Sequence, residues 1–421
     1  MLAEKAGVEL RKINPAEYKY LGLLYDLNDQ AKDFFKRELA AGAPGVTGAS
    51  KVTLEARAYL AERKLLPETI AEFDIGWASP EPDKLVKFFL SKGMAPDDLV
   101  RSGLVGKSER STLYDRFRGR IMFPIHNHLG KVVGFTGRIL PSLDKGDMGK
   151  YVNSPETAIF NKSKLLYGFF KTKTHIRETK RAFLVEGQMD MLMSYQAGVK
   201  YVVASSGTAF TPDHMQLLSR ATEEIVVSFD NDFAGLEAGE RAVDLAEAND
   251  FRVRVARLGG DVKDPAEAVA KDPKLLTDAI EHAVPAMEFY FEKYLGTGGR
   301  AGTARTFDLR SRDSLHALRA VLKKIKTIAS PVERSFWMKE LSKRTGTDEE
   351  DLREEANKIE VPNVPVNTGS RSTGAGGASD VQTNQAQGTD FDTRALSRRA
   401  LLVERLLTAA IAAGNFEAFS D

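Results

Sequence analysis

Apolar side chains recur at helical spacing through the first forty residues of this 421-residue chain. The pattern predicts a helix over most of residues 1–41, with an apolar stripe formed by Leu23, Leu24, Leu27, Ala31, Phe34, Phe35 and Leu39. A break rich in Gly and Ala follows, and Ser50 or Thr53 then opens a second predicted helix. A third helix is predicted over residues 83–92.

The apolar pattern becomes β-like between residues 113 and 140, where two β-rich runs flank the sequence His128-Leu129-Gly130. Two such runs around a short turn predict a β-hairpin. Pro124 lies inside the first run and cannot donate a backbone hydrogen bond. We therefore expect it at a sheet edge or at a β-bulge.

From residue 182 onward, short apolar runs alternate with helical segments, a pattern typical of a parallel sheet with helical crossovers. The predicted strands are AFLVE, YVVASS, EIVVSFD and FRVRVARL. Residues 284–359 are predicted to be helical throughout. Residues 361–389 are rich in Gly, Ser, Thr, Asn and Gln, have little to bury, and indicate a flexible linker.

The predicted fold class is α/β, or α+β over the whole chain, with a parallel sheet flanked by helices as its centre. Six segments are predicted: an N-terminal helical segment (1–45), a basic α+β subdomain (46–180), the parallel-sheet subdomain (181–280), a helical subdomain (281–360), the linker (361–392) and a last helical segment (393–421).

Composition narrows the class of protein. The net charge is +1, so contact with nucleic acid would have to come from local basic patches. The chain has no cysteine, which excludes disulfides and cysteine-bound zinc. No apolar run approaches the roughly 20 residues that span a bilayer, and no signal-peptide core is present. We expect a cytoplasmic protein without a membrane partner.

Three groups of carboxylates follow predicted strands: Glu186, Asp230 with Asp232, and Asp261 with Asp264. Ligand sites of open parallel sheets lie beyond the carboxyl ends of the strands. Asp230 and Asp232 are two positions apart, so in extended chain both can face one cation. Carboxylate oxygens of this kind suit Mg²⁺ or Mn²⁺, which points to phosphoryl transfer.

Structural explanations compete with metal binding at two of these positions. Asp232 could be no more than the N-cap of the next helix, and a lone Glu186-Gly187 pair is a weak signal. For Asp190, four residues after Glu186, a cap of the following helix is the interpretation that we favour.

Basic and aromatic residues are interleaved over residues 113–165, as expected where cations neutralise phosphates and rings stack on unpaired bases. Three arginines also alternate, so in extended chain they share one face. The solvated charged face is the alternative, and we favour nucleic-acid or nucleotide binding. The residues are Arg116, Arg118, Arg120, Arg138, Lys150 and Lys162, with Phe117, Phe123, Phe135, Tyr151 and Phe160.

Two motifs together resemble the Toprim domain of primases, topoisomerases and some nucleases. They read EGQMD from Glu186 and DNDFAG from Asp230. The intervening ASSGTAFTPDHMQLLSRA and the later KDP resemble bacterial DNA primases of the DnaG type. So do the upstream segments YDRFRGRIMFPIHNHLGKVVGFTGRIL and KYVNSPETAIFNKSKLLYGF. The resemblance extends from Leu2 to about residue 290.

The resemblance implies a Toprim-type sheet and an activity, the synthesis of short RNA primers on single-stranded DNA. It implies that Glu186, Asp230 and Asp232 are catalytic and that they bind Mg²⁺ or Mn²⁺ together with Asp264. It also implies that the template and the ribonucleoside triphosphates lie along Arg138, Lys150, Tyr151, Asn153 and Lys162.

The chain also departs from that family. The family carries an N-terminal zinc-binding domain, whereas this chain has no cysteine and begins where that domain would end. We therefore expect no zinc site. Residues 393–421 resemble only the start of the helicase-binding domain, so contact with a replicative helicase is expected to be lost or weakened. We expect a monomer.

Two other functions remain open on the sequence. A Toprim nuclease or a type IA topoisomerase would cleave DNA, although no segment resembles the tyrosine-bearing gate of a topoisomerase. A Toprim scaffold that only binds DNA or a partner would need none of the acids, which argues against it.

Overall fold

The computed structural model describes residues 14–146, 149–228, 233–259, 262–296, 311–328 and 330–360. The chain divides into two units, Met1–Ala356 and Asn357–Asp421, and the elements below belong to the first unit apart from the end of the final helix. Within the described ranges, no helix is both long enough and apolar enough to cross a bilayer.

Among the described residues, three helices precede the first sheet, namely α1 (Pro15–Ala40), α2 (Lys51–Glu62) and α3 (Pro67–Glu72). Helix α1 accounts for most of the predicted first helix, and residues 1–13 lie outside the described ranges. Ser50 is the N-cap of α2, and its hydroxyl accepts the Thr53 N–H at 3.2 Å. The sequence predicted that either Ser50 or Thr53 begins this helix, and the capping bond identifies Ser50 as its N-cap.

The next part of the chain forms a four-stranded antiparallel sheet and a separate two-stranded hairpin. The elements are β1 (Gly76–Ala78), α4 (Lys84–Ser91), α5 (Pro96–Arg101), β2 (Val105–Lys107), β3 (Leu113–Asp115), β4 (Arg120–His126), β5 (Val132–Ile139) and β6 (Tyr151–Asn153). The four-stranded sheet has the order β1-β4-β5-β6, and β2 pairs with β3. Strands β4 and β5 are the predicted hairpin.

Pro124 lies in β4, an inner strand of this sheet, so the expectation of an edge strand was wrong. Strand β1, however, pairs only with Arg120, Ile121 and Met122. Pro124 therefore has a neighbouring strand on the β5 side alone, and the pairing register shifts at Ile125, the next residue. The lack of a proline N–H is tolerated because the ladder is interrupted there.

The rest of the first unit opens with a five-stranded sheet between helices. Its elements are α6 (Phe169–Thr179), β7 (Arg181–Val185), α7 (Gln188–Gln196), β8 (Val202–Ala204), α8 (Pro212–Ser219), β9 (Glu224–Val227), α9 (Phe233–Glu247), β10 (Arg252–Val255), α10 (Pro265–Lys271), α11 (Pro273–Glu281) and β11 (Val284–Pro285). The order is β11-β10-β9-β7-β8.

Four of the five strands are parallel, which confirms the predicted fold class. The exception is β11, which pairs antiparallel with Arg254 and Val255 at the end of β10. Residues 284–285 were expected to be helical, and that expectation was wrong. A two-residue strand is too short to produce a periodic pattern in the sequence, and it forms only because a neighbouring strand is present.

One apolar core is shared by the two sheets. Trp77 and Phe123 of the four-stranded sheet belong to the same buried cluster as Phe183 and Val226 of the five-stranded sheet, and all four are fully buried. Moving the sheets apart would expose this apolar surface to water. The shared core therefore holds the two sheets together.

Four helices complete the first unit, namely α12 (Ala286–Leu295), α13 (Arg312–Thr327), α14 (Pro331–Thr345) and α15 (Glu349–Lys358). The carboxylate of Glu240 on α9 joins them to the five-stranded sheet. It accepts hydrogen bonds from Lys293 at 2.5 Å and from Tyr294 at 2.7 Å, and Lys324 approaches it to 2.7 Å. Burial favours the neutral acid, but these three donors outweigh it and lower the pKa of Glu240 to about 2.

We expect Glu240→Gln to destabilise the fold at neutral pH and much less in acid. An acid with a pKa lowered from 4.5 to about 2 stabilises the fold above pH 4.5, and this stabilisation is lost as the pH falls through 2. The loss of unfolding free energy at pH 7 should be roughly 1–3 kcal/mol. Urea unfolding of both proteins at pH 7 and near pH 2, where the acid is protonated, measures it.

Glu237→Gln is the matched control. Glu237 lies one turn earlier on α9 and forms only an exposed ion pair with Arg241 at 3.9 Å. Such pairs contribute roughly 0–1 kcal/mol. Equal destabilisation by the two substitutions, or an effect of Glu240→Gln that does not shrink as the pH falls from 4.5 to 2, would show that the buried contacts are unimportant.

Candidate active site and nucleic-acid interface

Glu186 directly follows β7, at the carboxyl end of the parallel sheet, and its side chain is half-buried. Its carbonyl oxygen accepts the Ser206 N–H at 3.0 Å, and the Val185 carbonyl accepts the Ser205 N–H at 3.3 Å. The sheet-like pairing thus continues past the end of the strand, which holds the backbone of Glu186 against the chain that leaves β8.

The second group of acids follows the neighbouring strand. Strand β9 pairs in parallel with β7, with Val227 opposite Leu184, and the Ser228 N–H donates to the Leu184 carbonyl at 3.2 Å. Asp230 and Asp232 lie outside the described residues. The chain enters their segment beside the strand end that carries Glu186.

The third group begins helix α10. Asp264 is its N-cap and accepts the Glu267 N–H at 2.7 Å, whereas Asp261 lies outside the described residues. A carboxylate has about four lone-pair sites, so a cap contact leaves capacity for a cation. Within the described ranges, which omit Asp230, Asp232 and Asp261, no three acids or histidines are grouped to hold a metal ion.

Asp190 ties the first and third groups together. One of its carboxylate oxygens accepts the Gly187 N–H at 3.2 Å, and the other accepts the Ala266 N–H at 3.2 Å. The predicted capping contact is therefore present. The bond to Ala266 was not predicted, and it brings the start of α10 beside the start of α7.

Three arginines lie on one side of the four-stranded sheet. Arg116, Arg118 and Arg120 line a cavity of about 180 Å³ together with Gly149 and Val152. Arg120 is buried and donates to the carbonyls of Gly137 and Lys150 at 3.0 and 3.3 Å. Arg116 and Arg118 are half-buried. Burial lowers the pKa of Arg120, which nonetheless stays charged at physiological pH.

Arg138 and Tyr151 form a cross-strand pair of β5 and β6. Arg138 donates to the Tyr151 hydroxyl at 2.7 Å, and its guanidinium carbon lies 5.4 Å from the ring centre of Tyr59 and 5.1 Å from that of Tyr151. Burial raises the pKa of Tyr151 despite the neighbouring guanidinium. The two rings hold the cation in place. Sequence reasoning missed Tyr59, because nothing in the sequence of α2 shows what its tyrosine contacts.

The other predicted contact residues lie at β6 and in the chain that follows it. Lys150 is exposed beside Tyr151. Asn153 accepts the Thr136 hydroxyl at 2.5 Å. Lys162 donates to the Gly207 carbonyl at 3.2 Å, in the loop that follows β8, and burial lowers its pKa.

Asp115 anchors the start of the arginine segment, and sequence reasoning missed it. Its buried carboxylate accepts the N–H groups of Leu85 and Val86, at 2.7 and 2.9 Å, in the first turn of α4. Asp83, the N-cap residue of α4, makes no side-chain capping bond. A lone acid among apolar residues, immediately before the alternating arginines, was the available signal.

Comparisons with known proteins agree with this arrangement. Residues 47–173 match the family described as the DNA primase catalytic core, N-terminal domain, and residues 183–269 match a Toprim-like family. A DNA primase of Deinococcus radiodurans is 40% identical over 293 residues, which cover 68% of this chain and 48% of that protein. A DNA primase of Escherichia coli K12 is 38% identical over 275 residues, which cover 65% and 45%. The chain spans about half the length of the curated relatives that it matches.

Solved structures match over nearly their whole length. A DnaG primase catalytic domain bound to single-stranded DNA is 33% identical with a TM-score of 0.63, covering 79% of this chain and 99% of that one. The E. coli primase catalytic core is 34% identical with a TM-score of 0.61, covering 77% and 97%. The RNA polymerase domain of Mycobacterium tuberculosis DnaG with a DNA duplex and overhang is 29% identical with a TM-score of 0.64, covering 78% and 98%.

We expect Asp115→Ala to destabilise the protein by roughly 1–2 kcal/mol, since both N–H groups at the start of α4 lose their acceptor. Asp83→Ala is the matched control, because it removes an acid from the same turn without removing a capping bond, and its exposed pair with Lys87 contributes little. Denaturant midpoints measure both. A larger loss of stability for Asp83→Ala than for Asp115→Ala would show that Asp115 does not cap α4.

Proposed function

This chain belongs to the DnaG family of bacterial DNA primases, and on that premise we propose that it synthesises RNA primers on single-stranded DNA. The substrates would be ribonucleoside triphosphates and the reaction a nucleotidyl transfer. Its role in replication would place it with the chromosome in the cytoplasm. The observation that carries the proposal is the hydrogen-bonded contact between the two sheets. It joins β5 with Arg138, and β6 with Tyr151 and Asn153, to the strand end of Glu186.

The acids of the five-stranded sheet suit divalent cations. We propose that Glu186, Asp230, Asp232 and Asp264 bind Mg²⁺ or Mn²⁺, because hard cations of this kind prefer carboxylate oxygens and keep water and phosphate as their other ligands. Bound metal would supply a lowered pKa for the attacking 3′-hydroxyl and charge for the triphosphate and the leaving pyrophosphate. The composition, with no cysteine, argues against a cysteine-bound zinc ion in this chain.

The residues of the chain would divide the remaining tasks. Glu186, held by backbone pairing at the strand end, can accept a proton from the attacking hydroxyl. Arg116 and Arg118 at the cavity, together with Lys150 and Lys162, can neutralise phosphates. Tyr151 and Asn153 can contact bases. Since the strand ends are held by the shared core, these groups need little rearrangement before the reaction.

The partners that we propose are the single-stranded template and the nucleotides. Structures of related catalytic domains contain DNA, which supports a template as partner. We propose a monomer.

Replacing Asp230 and Asp232 with Asn should reduce primer synthesis by about 100-fold or more, because two carboxylates that would hold the metal ions are lost. The assay uses a defined single-stranded template, ribonucleotides, and Mg²⁺ or Mn²⁺. Asp213→Asn, an exposed acid on α8, is the control. Undiminished synthesis at equal template binding would contradict the metal assignment. Degradation of labelled single strands without nucleotides would instead favour a nuclease.

Lys150→Ala should weaken template binding and reduce the slope of log K against log salt by about 0.7, the value for one lost contact to a single strand. Lys150 is the cleaner choice because it is exposed, whereas Arg138 also packs between two rings. Lys339→Ala, an exposed lysine on α14, should leave the slope unchanged. A slope unaltered by Lys150→Ala would remove this lysine from the template path.

A further inference from the structure

Four polar side chains form a hydrogen-bonded joint between the two sheets, which we call the polar joint: Thr136, Asn153, Gln188 and Ser206. Thr136 lies in β5, Gln188 is the first residue of α7, and Ser206 follows β8. These three are 0%, 3% and 5% exposed. Polar groups so deeply buried are unfavourable unless they are paired, and here each has a partner.

The hydrogen bonds of the joint run in one direction. The Gln188 amide donates to the Thr136 hydroxyl at 3.1 Å and also to the Ser206 hydroxyl. Thr136 in turn donates to the Asn153 side-chain oxygen at 2.5 Å. Thr136 has a single proton to give, so the Ser206 hydroxyl, 3.3 Å away, donates to it. The chain of bonds therefore begins in the five-stranded sheet and ends on Asn153.

Each member of the joint lies next to a group that the proposed reaction uses. Gln188 follows Glu186 by two residues. Thr136 and Arg138 are two apart in β5, so their side chains leave the sheet on the same face. Asn153 and Tyr151 are likewise two apart in β6, so their side chains also leave the sheet on the same face.

Ser206 has an unusual backbone conformation. Its φ is +63°, a left-handed value that is uncommon for a residue other than glycine and costs of order 1 kcal/mol or more. The conformation is compatible with two bonds at once, from its N–H to the Glu186 carbonyl at 3.0 Å and from its side chain to the joint. An apolar contact would hold the two sheets together equally well, so cohesion alone does not explain this arrangement.

We propose that Gln188 is a positioning residue: through Thr136 it sets the place of Asn153, and with it the template strand, relative to Glu186. The inference rests on the proposed function and adds a residue to it. Hydrogen bonds specify one alignment, whereas apolar packing tolerates small displacements, and small displacements of reacting groups cost large factors in rate.

The test compares three variants of the full chain. Gln188→Leu removes both donors at similar volume and should lower kcat for primer synthesis about tenfold, with the template Kd changed less than twofold. Ser194→Ala is the control, because Ser194 lies in the same helix, is fully buried, and makes no side-chain hydrogen bond within the described residues. It should leave kcat unchanged.

The third variant combines Thr136→Val, Gln188→Leu and Ser206→Ala, which makes the three buried members of the joint apolar and leaves only the half-buried Asn153 without its partner. It should recover the Tm lost by Gln188→Leu but not the lost kcat. Recovery of kcat together with Tm would show that the joint is a structural contact without a positioning role. Wild-type kcat in Gln188→Leu would overturn the proposal outright.

A second measurement does not depend on the reaction. In Gln188→Leu, amide hydrogen exchange should accelerate together around Asn153 and around Ser206, because both lose the same link. Exchange that is unchanged, or faster on one side only, would refute the coupling. A wild-type protein that makes no primer, but shows this joint acceleration in the variant, would contradict the proposed function and leave the positioning role standing.

Discussion

Burial of one apolar core beneath two sheets is the constraint on which the rest of the molecule depends. The inner sides of β4 and β7 contribute Phe123 and Phe183 to the same cluster, so separating the sheets would expose apolar surface on both. Burial of apolar surface is strong but non-directional. It holds the sheets together without specifying their alignment to a fraction of an ångström.

Directional bonds supply what the core does not. The polar joint lies where the four-stranded sheet meets the carboxyl ends of the parallel strands, and the Asp190 carboxylate performs a similar task between α7 and α10. Both use polar groups that are costly to leave unpaired when buried. A shifted alignment would break several of these hydrogen bonds at once and would therefore be unfavourable. On the far side of α9, the contacts of Glu240 with Lys293 and Lys324 hold the helical subdomain in the same way.

Periodicity predicted the helices and strands that bury a continuous face, including the β4–β5 hairpin and the alternation of strands and helices in the α/β region. It could not predict β1, β2 and β11, which are two or three residues long and exist only through their partners. Within the candidate site, the acids and arginines were identifiable because charge is visible in a sequence. Tyr59, Asp115 and Gln188 were not, since the importance of each comes from residues at least 18 positions away that folding brings into contact.

The arginines show that one residue can be both a predicted binding residue and a structural residue. Arg120 donates to two backbone carbonyls, and Arg138 is enclosed by two aromatic rings. A guanidinium has five N–H donors in a rigid plane, so internal bonds can fix its orientation without using all of them. Because these cations are already held in place, binding a phosphate would cost less side-chain entropy. With a net charge of +1 for the whole chain, attraction of a polyanion depends on such placement rather than on total charge.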